Sequence, residues 1–185
     1  MKISGYVGKN VEASLNTDTG MLQLYSNGGT LWRNWLERAK IQQEMVKNIK
    51  IAEGTVVLPQ CVSGLHRNHY YMFAGLFQLR EIDWNGFDAS NVKDASWMFA
   101  DNYNLVKMDM SGLSLSQIVL AEGMFYNCRR LTEVDISGMG TEHVTNMQQM
   151  FAYCTNLKLL HMPQVVPESI LTGNMYKNCP VRYFE

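Results

Sequence analysis

The apolar positions of this chain recur along its length. A pattern of Leu-x-x-apolar-x-apolar occurs four times: Leu79, Ile82, Trp84; Leu105, Met108, Met110; Leu131, Val134, Ile136; and Leu157, Leu160, Met162. Its last two positions alternate with polar residues, as in a strand with one face buried. Val46, Ile49 and Ile51 read as an upstream copy, and Val181 to Phe184 as a final strand. A second apolar set precedes a bulky pair. Val92, Ala95, Met98 and Phe99 form one example, and Val144, Met147, Met150 and Phe151 another. Steps of three and four predict a short helix.

The bulky pair sets the period. Met-Phe stands at 72–73, 98–99, 124–125 and 150–151, and Met175-Tyr176 follows, at spacings of 26, 26, 26 and 25. Self-similarity at this length marks a repeat architecture. The units are 72–97, 98–123, 124–149 and 150–174, with a closing stub at 175–185. One strand and one short helix per unit make a coil. A lone coil cannot bury its apolar edge, but stacked coils share a continuous core. The expected fold is therefore an α/β repeat: a right-handed solenoid over 46–185 behind an N-terminal cap at 1–45. Met-Phe then fills the interior of each coil, which we prefer to a cofactor box because large apolar side chains at this spacing are what core filling requires.

The stretch "LTEVDISGMGTEHVTNMQQMFAYCTNL" resembles the BspA-like leucine-rich repeat of bacterial surface proteins, in the subtype of mycoplasma lipoproteins and lactobacilli. The resemblance covers about 72–185 and is carried by "FDASNVKDASWMF" and "HVTNMQQMFAYC". The second unit departs from it at "LSLSQIVLAEGMF", and the fourth has Pro163, Pro167 and His161. It implies a leucine-rich-repeat-like coil, a role in binding other molecules and no catalytic activity.

Before the repeats, 11–26 reads as two short strands around a turn. Residues 28–46 read as a helix capped by Thr30, with Leu31, Trp32, Trp35, Leu36 and Ala39 as its apolar stripe. Trp32 and Trp35 are expected to cover the first coil.

Composition narrows the function classes. Apolar residues make up 46% and charged ones 18%, and the net charge is −1. The chain is globular, without the basic footprint of a nucleic-acid binder. No apolar run approaches the roughly 18 residues of a membrane span. The first residues carry no signal-peptide core. Two settings stay open: a cell-surface or secreted protein, as the resemblance implies, or a cytosolic one.

Stacking turns equivalent positions into rows. Asp83, Asp109, Asp135 and His161 form one, and Glu81, Lys107, Glu133 and Leu159 the next. Both lie between inward strand residues and so face outward. Neighbouring carboxylates have the separation of a retaining glycosidase pair, and oxygen ligands at strand spacing suit calcium. The preferred reading is a solvated face whose acids accept bonds from Ser111, Ser137 and nearby backbone. These eight residues are the candidate binding face for a protein partner, with no catalytic residue, cofactor or metal assigned. Leu76, Asn102, Cys128, Cys154 and Cys179 form a further row, read as unpaired core thiols with Asn102 bonding turn backbone, since no close Cys pair of the metal-binding kind exists. His66 and His69, three apart, would suit zinc on a helix; irregular packing in the first coil is preferred. The chain is thus expected to be a non-enzymatic interaction module of a surface or adhesion type. The alternative is an intracellular inhibitor or effector from a mobile element.

Overall fold

The computed structural model describes residues 1–63, 65–66, 69–70, 72–181 and 183–184. It is a solenoid of about five turns, built mostly of short strands. A hairpin opens it: β1 (Lys2–Asn16) pairs antiparallel with β2 (Met21–Leu31). These strands are longer than the sequence pattern suggests. Val7, Val11, Ala13 and Leu15 on one strand, and Leu22, Leu24 and Leu31 on the other, are fully buried.

The chain then makes a short helix, α1 (Trp35–Arg38). This corrects the helix expected over 28–46. Thr30 is not its cap: Thr30 belongs to β2, opposite Lys9, and Asn34 precedes the helix. Pairing within the hairpin consumes the backbone groups that a longer helix would need. The two tryptophans also divide. Trp35 is 1% exposed, and its Nε1–H donates to the carbonyl of Met72 at 2.8 Å. Trp32 remains at the surface with the Arg38 guanidinium 4.6 Å over its ring.

Next come β3 (Asn48–Glu53) and β4 (Val56–Val57), both parallel to β2. β3 is the upstream copy at Ile49 and Ile51. After β5 (Leu65–His66) and β6 (His69–Tyr70), an antiparallel pair, the regular coils begin. His66 and His69 face each other in that pair, so their backbone is not the zinc-binding helix considered above. Their side chains lie outside the described residues. β7 (Glu81–Ile82) continues from β3, and β8 (Phe87–Asp88) from β4. The later coils contribute one strand each: β9 (Lys107–Asp109), β10 (Glu133–Asp135) and β11 (Leu159–His161). β12 (Tyr183–Phe184) pairs with β11 as the last strand, where the sequence places it.

The expected helix in each coil is absent among the described residues. The segment through Met-Phe is an arch of turns, because its amides are shared between two kinds of bond. The N–H groups of Ala95, Trp97, Phe99 and Asp101 donate to Leu120, Glu122, Met124 and Tyr126 of the next coil, at 2.8–2.9 Å. The alternate residues Met98 and Ala100 donate within the coil, to Ala95 and Trp97. The same alternation joins the next two pairs of coils, from Ala121 to Asn127 and from Met147 to Tyr153. Amides committed sideways are unavailable for a helical ladder. The apolar steps of three and four arise because the arch, like a helix, turns those side chains inward.

The arch needs left-handed backbone at fixed places. Trp97, Gly123, Gln149 and Asn174 each precede the Met, at φ of 56–59°. Gly75, Asp101, Asn127, Tyr153 and Asn178 occupy a second such position. Gly, Asn and Asp tolerate this region, whereas Trp97, Gln149 and Tyr153 each bear a cost of about 1 kcal/mol. Gly123 answers to a second constraint: a Cβ there would lie 2.5 Å from the Trp97 indole.

The Met-Phe pair is core, as its recurrence predicts. Phe73, Phe99, Phe125 and Phe151 are all fully buried. They stack in one column, with centroids 5.8, 5.3 and 5.5 Å apart, and Tyr176 continues it at 5.9 Å. Trp35 closes the other end, edge-on to Phe73 at 5.7 Å. Such ring pairs add to the stabilisation from burial. Phe125→Ala should cost about 3–5 kcal/mol of unfolding free energy, measured by urea denaturation. A loss under about 1 kcal/mol would mean the column is not what holds the coils together.

Candidate interaction face

The strand face has the register that the repeats predict. In β9, β10 and β11 the central residues Met108, Val134 and Leu160 point inward and are almost fully buried. Their neighbours face outward. Parallel pairing sets Lys107, Glu133 and Leu159 in one row, and Asp109, Asp135 and His161 in the next. β7 extends the face with Glu81 and Asp83. Sequence reading did not see its reach beyond that. Register carries the first row on to Asn48 and Met21. It also sets Lys50 beside Asp83, whose N–H donates to Ile49 at 2.9 Å. The upstream copy around Ile49 held that signal.

The aspartates have a local task. Asp83 Oδ1 accepts from the backbone and side chain of Asn85, at 3.0 and 2.8 Å. Asp109 Oδ1 accepts from the backbone and hydroxyl of Ser111, at 3.0 and 2.7 Å. Asp135 does the same with Ser137, at 2.9 and 2.6 Å. Each carboxylate thus folds its strand end into a turn. The Ser111 hydroxyl and amide hold Asp109 below the usual carboxylate range, with a smaller contribution from His161. Ser90 does the same for Asp88. A glycosidase acid needs the opposite, a carboxyl pushed up by burial. Lys107 pairs with Glu133 at 2.5 Å, but both side chains are exposed and the pair adds little stability.

The face is not uniform. β7 and β9 belong to separate sheets, and a cleft of about 340 Å³ opens between them. Glu81, Asp83, Trp84, Asn85, Asp109 and Ser111 line it. Elsewhere the residue after each strand ties it to the next coil: Met110 N–H to Asp135 at 2.8 Å, and Ile136 N–H to His161 at 3.0 Å. No such bond joins Trp84 to Asp109 among the described residues. Trp84 stands where later coils have Met110, Ile136 and Met162. Its indole packs edge-on against Phe73, Phe87 and Phe99 at 5.1–5.6 Å, and its Nε1–H reaches Met108 Sδ at 3.2 Å. The sheet parts beside this ring.

The row at the arch-to-strand turn behaves as read. Asn102 Oδ1 accepts from Leu76 N–H at 2.8 Å, and its Nδ2 donates to the Phe73 carbonyl at 2.8 Å. Cys128 and Cys154 donate their thiols to Phe99 and Phe125, at 3.1 and 3.0 Å. Asn and Cys thus do the same job, tying each coil to the aromatic carbonyl of the one before. Cys61, Cys128, Cys154 and Cys179 are free. Burial pushes the Cys128 thiol up to about 12, and Cys154 well above the ordinary range. At the adjoining edge, Phe77 stacks on Tyr103 at 5.3 Å, and Arg129 lies 5.4 Å over Tyr103. All three stand five residues after the Met, so an alignment of the units would have found this row.

The profile of the family described as "Mycoplasma protein of unknown function, DUF285" matches residues 67–163, just over half of the chain. The chain belongs to this family. The family agrees with the resemblance that the repeats carry. Among curated proteins, no relative matches the sequence. Two solved structures are similar to this DUF285 member. One is a leucine-rich repeat protein of T. pallidum (TpLRR): 17% identity, covering 92% of this chain and 86% of that one, with a TM-score of 0.36. The other is a leucine-rich repeat protein of Eubacterium ventriosum ATCC 27560: 10% identity, covering 100% and 85%, with a TM-score of 0.24. Neither superposes closely enough to transfer a residue role.

Two outcomes follow from the site. Iodoacetamide labelling of the native protein, mapped by mass spectrometry, should leave Cys128 and Cys154 unmodified until the chain is unfolded; native labelling at either would contradict their burial. Asp109 titrates lower folded than unfolded, so its stabilisation is full above the unfolded value near 4 and is lost as pH falls through the folded one. The melting-temperature gap between the parent and Asp109→Ala should therefore be widest near pH 6 and narrow toward about pH 3. A gap independent of pH would mean that the carboxylate's charge does not hold the turn.

Proposed function

We propose that this DUF285 chain is a non-enzymatic protein-interaction module that meets its partner through the strand face, with 1–45 serving as its cap. The face comprises Glu81, Asp83, Lys107, Asp109, Glu133, Asp135, Leu159 and His161. The observation that carries this reading is the in-register exposure of both rows. A solenoid offers such a surface as one or two side chains per coil, so that area grows without a pocket. The aspartates favour binding over catalysis, since each carboxylate is engaged in its own turn and Asp109 is held ionised. The surface or adhesion setting rests on the resemblance of the repeats to bacterial surface proteins.

The test uses the intact chain as bait against a host-cell surface extract, with bacterial cytosol in parallel. A variant carrying Lys107→Gln, Asp109→Asn, Glu133→Gln and Asp135→Asn removes the charges, while the new amides still accept from Ser111 and Ser137. Arg129→Gln with Arg130→Gln is the control on the other edge. The strand-face variant should lose at least about tenfold in retention of a surface-extract protein that the control still holds. Equal retention by both would overturn the face, and a partner drawn only from cytosol would overturn the setting.

A further inference from the structure

Charge is sorted along the edge where each arch turns into its strand. The four units place 77–80, 103–106, 129–132 and 155–158 there, and none of these segments holds an aspartate or a glutamate. Arg80, Arg129, Arg130 and Lys158 are all exposed, and none of them forms an ion pair among the described residues. They belong to the first, third and fourth units, so the cations run along the solenoid axis. The two adjacent arginines are also held in place. Tyr103 stacks on Phe77 at 5.3 Å, and the Arg129 guanidinium lies 5.4 Å over the Tyr103 ring. Arg129 Nε donates to Asn127 Oδ1 at 2.8 Å. Arg130 Nη1 donates to Asn104 Oδ1 at 3.0 Å, and Asn104 is fixed in turn by donating to the Phe77 carbonyl at 2.7 Å. Each fork is therefore anchored to a neutral amide, which leaves its charge and its other N–H donors for a ligand. Carboxylates border the strip without entering it: Asp101 accepts from Asn127, and Glu133 pairs with Lys107.

We propose that this edge binds a sulfated polysaccharide, laid along the solenoid axis. It goes beyond the strand-face reading, since it uses a different surface. A guanidinium fork meets an oxyanion through two N–H bonds at once. A sulfate ester presents three free oxygens, so one group can accept from neighbouring forks. Between the cations the strip carries Gln78, Thr155 and Asn156, all exposed. Amides and hydroxyls of this kind suit sugar hydroxyls, which both donate and accept. Because Tyr103, Asn127 and Asn104 already order the two arginines, little side-chain freedom is lost on binding. Two other polyanions fit less well. Single-stranded nucleic acid needs open rings on which its bases stack, and Tyr103 already lies between Phe77 and Arg129. An acidic protein segment draws its energy from buried apolar anchors. Here Leu79, Leu105, Leu131 and Leu157 turn inward and are fully buried, which leaves Val106 as the exposed aliphatic of the strip.

The experiment is fluorescence anisotropy of a labelled heparin dodecasaccharide titrated with the intact chain in low-salt buffer. The parent should bind it, and added salt should weaken the complex. Arg129→Gln with Arg130→Gln should lose at least about tenfold in affinity. Arg80→Gln with Lys158→Gln should weaken binding in the same direction without touching the Tyr103 stack. Lys2→Gln with Lys9→Gln removes as much charge from the opening hairpin and should lose less than about twofold. Desulfated heparin, a thymidine oligonucleotide and polyglutamate serve as competitors, and each should displace the probe at least about tenfold less well than heparin itself. Absence of binding by the parent would overturn the proposal. So would equal losses in the edge and hairpin variants, which would reduce the attraction to net charge. Equal competition by desulfated heparin would remove the sulfate, and stronger competition by the oligonucleotide or polyglutamate would give the edge to another polyanion.

Discussion

The seam between successive coils is the constraint on which the molecule depends. Backbone amides in the arch alternate between a turn within their own coil and a carbonyl of the next. That division leaves no helix to form, and it requires left-handed residues at two places per coil. It also brings the aromatic rings to 5.3–5.9 Å along the column. The rings bury apolar area, and the amides set the spacing at which they do so. Neither is stable alone, because one coil leaves both its rings and half its arch amides facing water.

The outer face inherits its order from that seam. Since the coils advance in register, residues at one place in the repeat become a row on the surface. Charge then reads along the row: lysine, three aspartates and a histidine from Lys50 to His161. The aspartates shape the face as well as charge it, since each ends its strand in a turn closed by Asn85, Ser111 or Ser137. A partner on this face would meet carboxylates already held in place, and so would lose little side-chain freedom in ordering them. The cleft beside Trp84 is a departure from regularity on this face, and it stands where the sheet that includes the opening hairpin gives way to the sheet of the later coils.

Much of the architecture was legible because a repeat states the same fact several times. The period, the inward positions of each strand, the final strand at Tyr183–Phe184 and the burial of Met-Phe could be read by laying one unit over the next. The row of Asn102, Cys128 and Cys154 was legible in the same way. The arch was not. Ala95, Met98 and Phe99 fall at helical spacing, and periodicity reports only which side chains point inward, not where the amides between them go. The cap helix failed for a related reason. Its apolar stripe from Leu31 to Ala39 suits a helix locally, yet Thr30 and Leu31 pair with Lys9 and Gly8, far back along the chain.

By itself, the sequence determined the repeat, the register and the outer-row residues from Glu81 to His161, because these follow from side-chain polarity at a fixed period. Tertiary structure alone decided the arch in place of a helix and the parting of β7 from β9. Each of those depends on backbone hydrogen bonds between distant residues. Those contacts form only once coils are stacked, and no local pattern encodes them.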